Sequence, residues 1–385
     1  MAGEAERSID VVVTELAQVP GMIRAQVPAD WAAVQSLLDQ IDVSAIPRVV
    51  LTGCGDSLFA GMAARWAFER YGGIPTEAIE ALDFARYAVD TLPPGSLVLP
   101  ISYSGQVGRT IEAARNAQHF GATVVAITGR PERGLGRTAP RHLHVRVPSL
   151  GFSLGTSTYI GLMLAAYLLA VGIGRRRGVL TDERVAELLE ALTRVGGLVE
   201  DALGAGEAEL PEHAAWLAQS ETVLFLGAGP NHASALFGAA KLFEGAQMHG
   251  VTQHTEEWAH AQYFISGLST RTVLLAPRGR SLDRAFEIAT EMHFIETPFL
   301  VITDDAPERW RALTPRVLAL PSGIREAFSP LLFAAPLSQL GYYLAKARGK
   351  QSYNFPSPER EREHYQTLHE SAFRDLTVEE KATLL

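Results

Sequence analysis

The second half of the sequence repeats the motif order of the first half at a nearly constant distance. The apolar run "VVLTGCG" ends at Gly55, and the similar run "TVLFLGAG" ends at Gly229, 174 positions later. "VVAITGRPERG" corresponds to "FLVITDDAPERW" in the same way, with Thr128 and Thr303 separated by 175 positions. A third pair, "YLLAVGIGRRRG" and "YYLAKARGK", is offset by 171. Three offsets this similar indicate a duplicated domain.

Within each copy, short β-branched segments alternate with segments of helical periodicity, which is the pattern of βαβ units. In the first copy, strands are predicted at 48–53, 96–102, 122–128 and 142–147, and a helix at 107–119. The predicted fold class is α/β, with two tandem domains. Each is expected to be a doubly wound, mainly parallel sheet flanked by helices, in three αβα layers, as in Rossmann-like folds.

A chain of 385 residues exceeds the usual size of one hydrophobic core, which agrees with two domains. Composition changes and turn signals divide the chain into five predicted parts. These are an N-terminal helical arm (1–47), a first α/β domain (48–180), a linker helix (181–209), a second α/β domain (210–350) and a C-terminal tail (351–385).

Charge and cysteine content exclude several classes of function. The formal net charge of -9 argues against a nucleic-acid or anionic membrane surface, since both require clustered Lys and Arg. Cys54 is the only cysteine, which suits a reducing cytoplasm and leaves no cysteine-based metal cluster. The apolar run 156–174 is expected to be a buried core helix, because it stands alone and begins with hydroxyl residues. The protein is therefore expected in the cytoplasm, without a signal peptide and without a membrane or nucleic-acid partner.

Two loops rich in Gly and Ser follow predicted strands of the first domain. "TGCGDS" covers 52–57 and "ISYSGQVGRT" covers 101–110. In open parallel sheets, ligands bind beyond the carboxyl ends of strands, where helix N-termini present free N–H groups to anions. An alternative is that Asp56 and Ser102 only cap helices while the glycines form turns. The second copy lacks the Ser-x-Ser pair, so one phosphate site per chain is expected.

The motifs "LTGCGDS", "ISYSGQVGRTIEAARNAQHFGATVVAIT" and "AAKLFEG" resemble the sugar isomerase (SIS) domain family. The tandem arrangement is similar to the isomerase half of glucosamine-6-phosphate synthase, and "ELAQVP" at 15–20 resembles the family's Glu-x-x-x-Gln-Pro segment. The resemblance covers nearly the whole chain. It implies a phosphosugar isomerase that interconverts aldose and ketose (amino)sugar phosphates through a cis-enediol. A ketosamine-6-phosphate deglycase or amino-sugar-phosphate deaminase is the alternative, and a non-catalytic sugar-phosphate sensor is a second.

The resemblance assigns Ser57, Ser102 and Ser104 to the phosphate and Ser157 to the sugar. Three positions depart from the synthase, which has Thr, Gln and Thr where this chain has Asp56, Tyr103 and Val107. A carboxylate at position 56 opposes phosphate binding unless it points into its helix as an N-cap. The full set of predicted substrate-binding residues is Gly53, Cys54, Gly55, Asp56, Ser57, Ser102, Tyr103, Ser104, Val107, Ser157 and Arg374.

The catalytic residues implied by the resemblance are Glu244, Lys241 and His260. Glu244 takes the place of the base that moves a proton between C1 and C2, and Lys241 precedes it on the same helix face. His260 corresponds to the ring-opening histidine, which the partner subunit often contributes, so a homodimer with shared active sites is expected. No cofactor and no metal are expected.

Two departures argue against the synthase reaction. The synthase carries a glutaminase domain with an N-terminal cysteine nucleophile, whereas this sequence begins Met1-Ala2-Gly3, so glutamine-dependent amino transfer is not expected. "FRDLTVEE" resembles the synthase tail but has Arg374 in place of the lysine that forms a Schiff base. A guanidinium stays protonated and cannot form an imine.

Overall fold

The structure is a computed structural model that describes residues 8–148, 150, 154–267, 269–351, 355–369 and 373–375. Its strands are β1 (Val49–Gly53), β2 (Thr76–Glu80), β3 (Leu97–Pro100), β4 (Thr123–Thr128), β5 (Arg141–His144), β6 (Thr222–Gly227), β7 (His249–His254), β8 (Thr270–Ala276), β9 (Phe299–Thr303) and β10 (Val317–Ala319).

The helices fill the intervals between the strands. In chain order they are α1 (Val11–Leu38), α2 (Asp56–Ala67), α3 (Ala81–Asp83), α4 (Gly108–His119), α5 (Gly134–Thr138), α6 (Thr156–Arg176), α7 (Asp182–Leu217), α8 (Asn231–Lys241), α9 (Thr255–Trp258), α10 (Leu282–Phe294), α11 (Pro307–Arg311), α12 (Ser329–Ala347) and α13 (Pro358–His369). Short π-helical turns follow α2, α3 and α8.

Two five-stranded parallel sheets confirm the predicted fold class. The first has the order β2-β1-β3-β4-β5, and the second has β7-β6-β8-β9-β10. Every strand pair is parallel, and both sheets follow the same order, 2-1-3-4-5, when their strands are numbered along the chain. The central strands β1, β3, β6 and β8 are almost wholly buried, as expected for apolar strands covered by helices on both faces.

The chain divides into two compact units. The first-sheet unit comprises Ala25–Val147, Thr158–Glu190 and Asn354–Leu385, and the second-sheet unit comprises Met1–Arg24, Pro148–Ser157 and Ala191–Tyr353. The predicted arm, 1–47, is therefore shared between the units rather than separate. All of the predicted linker, 181–209, except its first residue lies in α7, which begins at Asp182 and continues to Leu217.

Helix α6 is the one described helix that is long and apolar enough to cross a membrane. In its most apolar window, 94% of the residues are buried inside the protein. The arginines that follow the apolar run have protein partners: Arg175 donates to Asp182 at 2.7 Å, and Arg177 donates to the Val43 carbonyl at 2.7 Å. These contacts are those of a core helix.

Candidate functional site

The two Gly/Ser loops of the first-sheet unit follow β1 and β3, which are neighbours in the sheet. The strand order changes direction at β1, so the crevice between β1 and β3 is the topological switch point at which open α/β sheets bind ligands. A Cβ at Gly53 would lie 2.8 Å from the carbonyl oxygen of Ile101, so a larger residue would push the strand ends apart. The structure therefore brings loops 53–57 and 102–107 to one edge of one sheet.

Loop 102–107, which we call the Ser-x-Ser loop, is held in a tight turn by its own serines. Ser102 is 2% exposed, and its Oγ and carbonyl oxygen accept the N–H of Gly105 at 3.2 and 3.1 Å. The Oγ of Ser104 accepts the N–H of Gln106 at 3.3 Å. Gly105 has φ = 64°, a conformation that favours glycine. Both serine side chains stabilise the turn, and neither caps α4.

The two helices that leave these loops differ in the charge of their first turns. Helix α4 has no acidic residue in its first turn, and Val107, its N-cap, makes no side-chain cap. Helix α2 begins with Asp56, directly before half-buried Ser57. The alternative that Asp56 caps this helix is wrong: Gly55 is the N-cap, and its position has no side-chain cap. Because a carboxylate already occupies the positive end of α2, the start of α4 is the better place for an anion.

Neighbouring residues fix the position of the Tyr103 ring and keep the Cys54 thiol protonated. A Cβ at Gly129 would lie 2.3 Å from Cε2 of Tyr103, so the tyrosine ring packs directly on this glycine. The thiol of Cys54 donates to Glu80 Oε1 at 3.3 Å. Burial, together with Glu80, raises the pKa of Cys54 to about 12, so the thiol is neutral and a poor nucleophile at neutral pH.

Ser157 lies in the second-sheet unit, at the start of α6, and its polar groups face another residue of that unit. Its backbone N–H donates to Glu15 Oε1 at 2.7 Å, and its hydroxyl also donates to that oxygen. Ser157 is 2% exposed and Glu15 is 4% exposed. The hydroxyl hydrogen is therefore shared between two protein acceptors, the Glu15 carboxylate and the Pro148 carbonyl, which lies 3.2 Å from Oγ.

Lys241 and Glu244 form an ion pair where α8 passes into a π-helical turn. The Lys241 ammonium is fully buried and donates to Glu244 Oε2 at 2.8 Å and to the Leu154 carbonyl at 2.7 Å. It also lies 4.5 Å from the ring centroid of Phe237. The Glu244 side chain is 39% exposed. An immobilised cation thus orients a carboxylate that remains accessible, and π turns of this kind are frequent at functional sites.

His260 is exposed and lies beside an acidic side chain, that of Glu256. Its Nε2 lies 3.2 Å from Glu256 Oε1, and 63% of the His260 side chain is exposed. Glu256 in turn pairs with Arg284 at 2.6 Å, which lowers the pKa of the Glu256 carboxyl. The imidazole of His260 is therefore a surface group beside a carboxylate.

Arg374 lies in a short described part of the C-terminal tail that packs on α4. Its carbonyl accepts from the Asn116 side chain at 3.2 Å, and Asp375 pairs with Arg115 at 2.7 Å. The guanidinium of Arg115 also lies 5.3 Å from the ring centroid of Phe373. These contacts hold residues 373–375 on the middle of α4, beyond the first turn of the helix.

Several polar residues near the two sheet edges were missed by the sequence analysis. Arg133 donates to Gln106 of the Ser-x-Ser loop, and Arg130 precedes it in the same segment. In the second-sheet unit, the rings of His232 and His254 stack with centroids 3.6 Å apart. Arg130 could have been found by looking for charged residues within two positions of the end of each strand, since β4 ends at Thr128. The stacking of the His232 and His254 rings has no signal in the sequence. Among the described residues, no group of three or more His, Cys, Asp or Glu could hold a metal ion.

The fold and these loops define an α/β protein with two Rossmann-like sheets and a Gly/Ser loop at the switch point of the first. Residues 43–171 match the SIS domain family. The C-terminal domain of a glucosamine-fructose-6-phosphate aminotransferase from Francisella tularensis has a similar fold, with a TM-score of 0.78 and 23% identity, covering 90% of this chain and 98% of that chain. Residues 43–171 therefore belong to the SIS-domain family.

Curated relatives share the same segment of sequence. A glutamine–fructose-6-phosphate aminotransferase from Streptomyces coelicolor is 30% identical over 310 residues, covering 80% of this chain and 50% of the relative. The corresponding protein from Bradyrhizobium diazoefficiens is 29% identical over 309 residues, with the same coverage. The chain spans about half the length of the curated relatives it matches. A glucosamine-6-phosphate deaminase from Thermotoga maritima shares the fold, with a TM-score of 0.66, 18% identity, and coverage of 88% of this chain and 95% of that one.

Proposed function

We propose that this protein is a phosphosugar isomerase that interconverts an aldose phosphate and a ketose phosphate through a cis-enediol. The observation that carries the proposal is the Lys241–Glu244 pair, in which a fully buried ammonium orients an accessible carboxylate. Aldose–ketose exchange requires one weak base that removes a carbon-bound proton and returns it to the neighbouring carbon. The names of the curated relatives, which include isomerisation of a fructose-6-phosphate substrate, support this class of reaction.

In this proposal Glu244 is the base, and Lys241 is a positioning residue. The Leu154 carbonyl and the Phe237 ring hold the ammonium, so Lys241 cannot follow the substrate and instead fixes the orientation of Glu244. His260 opens the sugar ring, since imidazole donates and accepts protons near neutral pH. Ser57, Ser102 and Ser104 and the first turn of α4 are assigned to the phosphate.

We further propose that the protein acts as a homodimer in which His260 serves the partner copy. The exposed position of His260 is compatible with this role. The next residues, Tyr263, Phe264 and Ile265, are also exposed, at 38%, 71% and 53%. Consecutive exposed apolar residues beside an exposed histidine are typical of a surface that another chain covers.

The reaction is tested by incubating the protein with a panel of sugar phosphates in D₂O and following the products by NMR. We expect deuterium to enter C1 or C2 of the substrate, and Glu244→Gln to lower this exchange by roughly 10²- to 10⁴-fold while substrate binding is retained. Glu257→Gln, which changes an exposed carboxylate with no assigned role, is the matched control and should leave exchange unchanged. Exchange at the wild-type rate in Glu244→Gln would remove Glu244 from the mechanism.

The same incubation separates the isomerase from its alternatives. A ketosamine-6-phosphate deglycase or amino-sugar-phosphate deaminase would release free amine or ammonia, whereas an isomerase releases none. A sugar-phosphate sensor would bind its ligand without any exchange of carbon-bound hydrogen.

A further inference from the structure

The segment that follows β4 is strongly basic in an otherwise acidic protein. Residues 129–147 contain five arginines and one carboxylate, Glu132, whereas the whole chain has a formal net charge of -9. The proposed function uses none of these arginines. Two of them, Arg130 and Arg133, belong to the loop between β4 and α5, which we call the basic loop (129–133).

The basic loop is bonded to the Ser-x-Ser loop along most of its length. The Gly129 N–H donates to the Tyr103 carbonyl at 3.1 Å, and just beyond the basic loop the Leu135 N–H donates to the Gly105 carbonyl at 2.8 Å. A Cβ at Gly105 would lie 3.0 Å from the Arg130 carbonyl oxygen. These contacts place Arg130 at the border of the proposed phosphate site.

Arg133 is tied to the same border through its side chain. Its Nη1 donates to Oε1 of Gln106, an exposed residue of the Ser-x-Ser loop. Because Gln106 lies two residues before α4, this bond holds the guanidinium at the outer rim of the loop and leaves its other N–H groups available.

The charges of Arg130 and Arg133 are not neutralised within the described part of the chain. Both residues are exposed, and no described carboxylate lies within ion-pairing distance of either guanidinium. Glu132, the acidic residue of the basic loop, acts electrostatically on His144. In contrast, Arg109 in the first turn of α4 pairs with the fully buried carboxylate of Glu112. The basic loop therefore carries two uncompensated guanidinium groups.

We propose that Arg130 and Arg133 form a subsite for a second phosphoryl group, adjacent to the phosphate held by the Ser-x-Ser loop. The first turn of α4 and the hydroxyls of Ser102 and Ser104 supply enough donors for one phosphate. The basic loop adds charge beside that position, and the planar guanidinium matches the geometry of a second anion. This inference rests on the phosphate site of the proposed function and defines its ligand class: molecules with two neighbouring phosphoryl groups, such as a sugar with a diphosphate on a carbon other than C1 or C2, which leaves the reacting carbons free.

Calorimetric titration of the full chain with inorganic phosphate and with inorganic pyrophosphate, both without divalent cations, tests the subsite. Wild-type protein should bind pyrophosphate at least about tenfold more tightly than phosphate. The double variant Arg130→Ala/Arg133→Ala should lose about tenfold or more in pyrophosphate affinity and change its phosphate affinity by less than about twofold. Arg137→Ala changes another exposed arginine, in α5; it is the matched control and should change neither affinity.

Three outcomes would overturn the proposal. An equal loss for both anions in the double variant would assign the arginines to the first phosphate. Unchanged affinities would make them ordinary surface residues, and a similar loss in Arg137→Ala would indicate non-specific attraction. The proposed isomerase activity is judged separately by deuterium exchange, so a pyrophosphate preference without exchange would retain the subsite and reject the reaction. Absence of binding of either anion by wild-type protein would reject the subsite and the phosphate site together.

Discussion

At the scale of single residues, a motif in the sequence marks Glu15 as a member of a family-like pattern but does not identify the residue that Glu15 contacts. The segment "ELAQVP" marks Glu15 as part of a family-like pattern, but nothing in the sequence connects it with Ser157, 142 positions away. The contact has a physical reason: Ser157 lies in the first turn of α6, where backbone N–H groups lack helical partners and a carboxylate is favoured by the helix dipole.

Glu15→Ala should therefore destabilise the protein. Removing the carboxylate leaves the buried N–H of Ser157 without its acceptor, which costs about 1–3 kcal/mol of unfolding free energy. Glu15→Gln retains an oxygen at the same place and should cost clearly less. Chemical denaturation of the three proteins measures both values, and equal destabilisation by the two substitutions would contradict a hydrogen-bonding role.

Protonation of His232 should make the free energy of unfolding depend on pH. Burial, together with repulsion from stacked His254, lowers the pKa of His232 to about 4. An unfolded histidine titrates at about 6.5, so the unfolded state binds more protons between these values. The contribution of His232 to unfolding free energy is complete above pH 6.5 and is lost as the pH falls towards 4. We expect a loss of roughly 1–2 kcal/mol, because partial exposure weakens the effect.

The comparison of wild-type protein with His232→Gln isolates this effect. Burial raises the pKa of Asp30 to about 6, which acts in the opposite direction, because the folded state then binds the extra proton as the pH falls. Asp30 is present in both proteins, so its contribution cancels in the difference. On going from pH 7.5 to 4.5, the unfolding free energy of the variant should fall less, or rise more, than that of the wild-type protein. An equal change in both proteins would remove His232 as the source of the difference.

At the scale of elements, buried strands with apolar sequences can be predicted from the sequence, whereas polar strands at the edge of a sheet are missed. All four strands predicted in the first copy are present. β1, β3 and β4 were found because central strands of a parallel sheet are continuous apolar runs, and the edge strand β5 was found because apolar residues alternate through 142–147. β2, "TEAIE", was missed because it carries two carboxylates and only one side of it pairs with another strand. β7, "HGVTQH", occupies the corresponding outer position of the second sheet and is similarly polar. Polar edge strands lack the apolar signal on which strand prediction depends.

The Ser-x-Ser loop is an element whose shape depends on a single glycine. Gly105→Ala imposes a Cβ on a residue with φ = 64° and brings it to 3.0 Å from the Arg130 carbonyl. Gly121→Ala is the matched control, since Gly121 has φ = 78° and nothing within 4 Å of the added Cβ. Gly121→Ala should cost about 1 kcal/mol through backbone strain, and Gly105→Ala about 1–3 kcal/mol more, with weakened phosphate binding. Thermal unfolding and phosphate titration measure the two effects, and equal costs for both variants would contradict the close approach.

At the scale of the whole molecule, the sequence predicts the two sheets correctly but does not predict which segments of the chain belong to which of the two units. Two sheets of identical strand order follow from the repeated motifs, whereas the assignment of 148–157 to the second-sheet unit does not, because that segment lies between strands and helices of the first copy. The same difference between local pattern and long-range packing applies to the candidate site residues. Ser57, Ser102 and Ser104 were found from loops after strands, but the neighbours that orient Ser157 and Lys241 depend on long-range packing that no local pattern encodes.

The proposed homodimer with shared active sites predicts complementation between two inactive variants. Glu244→Gln lacks the base, and His260→Ala lacks the ring-opening group, so each protein alone should lose most isomerase activity. If His260 serves the partner copy, a mixed dimer contains one site with both wild-type residues and one site with neither. Random exchange of subunits should therefore restore up to about a quarter of wild-type activity. Phe264→Glu, which places a charge in the exposed apolar segment, should lower both dimer content in sedimentation and the recovered activity. No recovery from a mixture shown to contain mixed dimers would assign His260 to its own subunit, because a site confined to one chain cannot be completed by another.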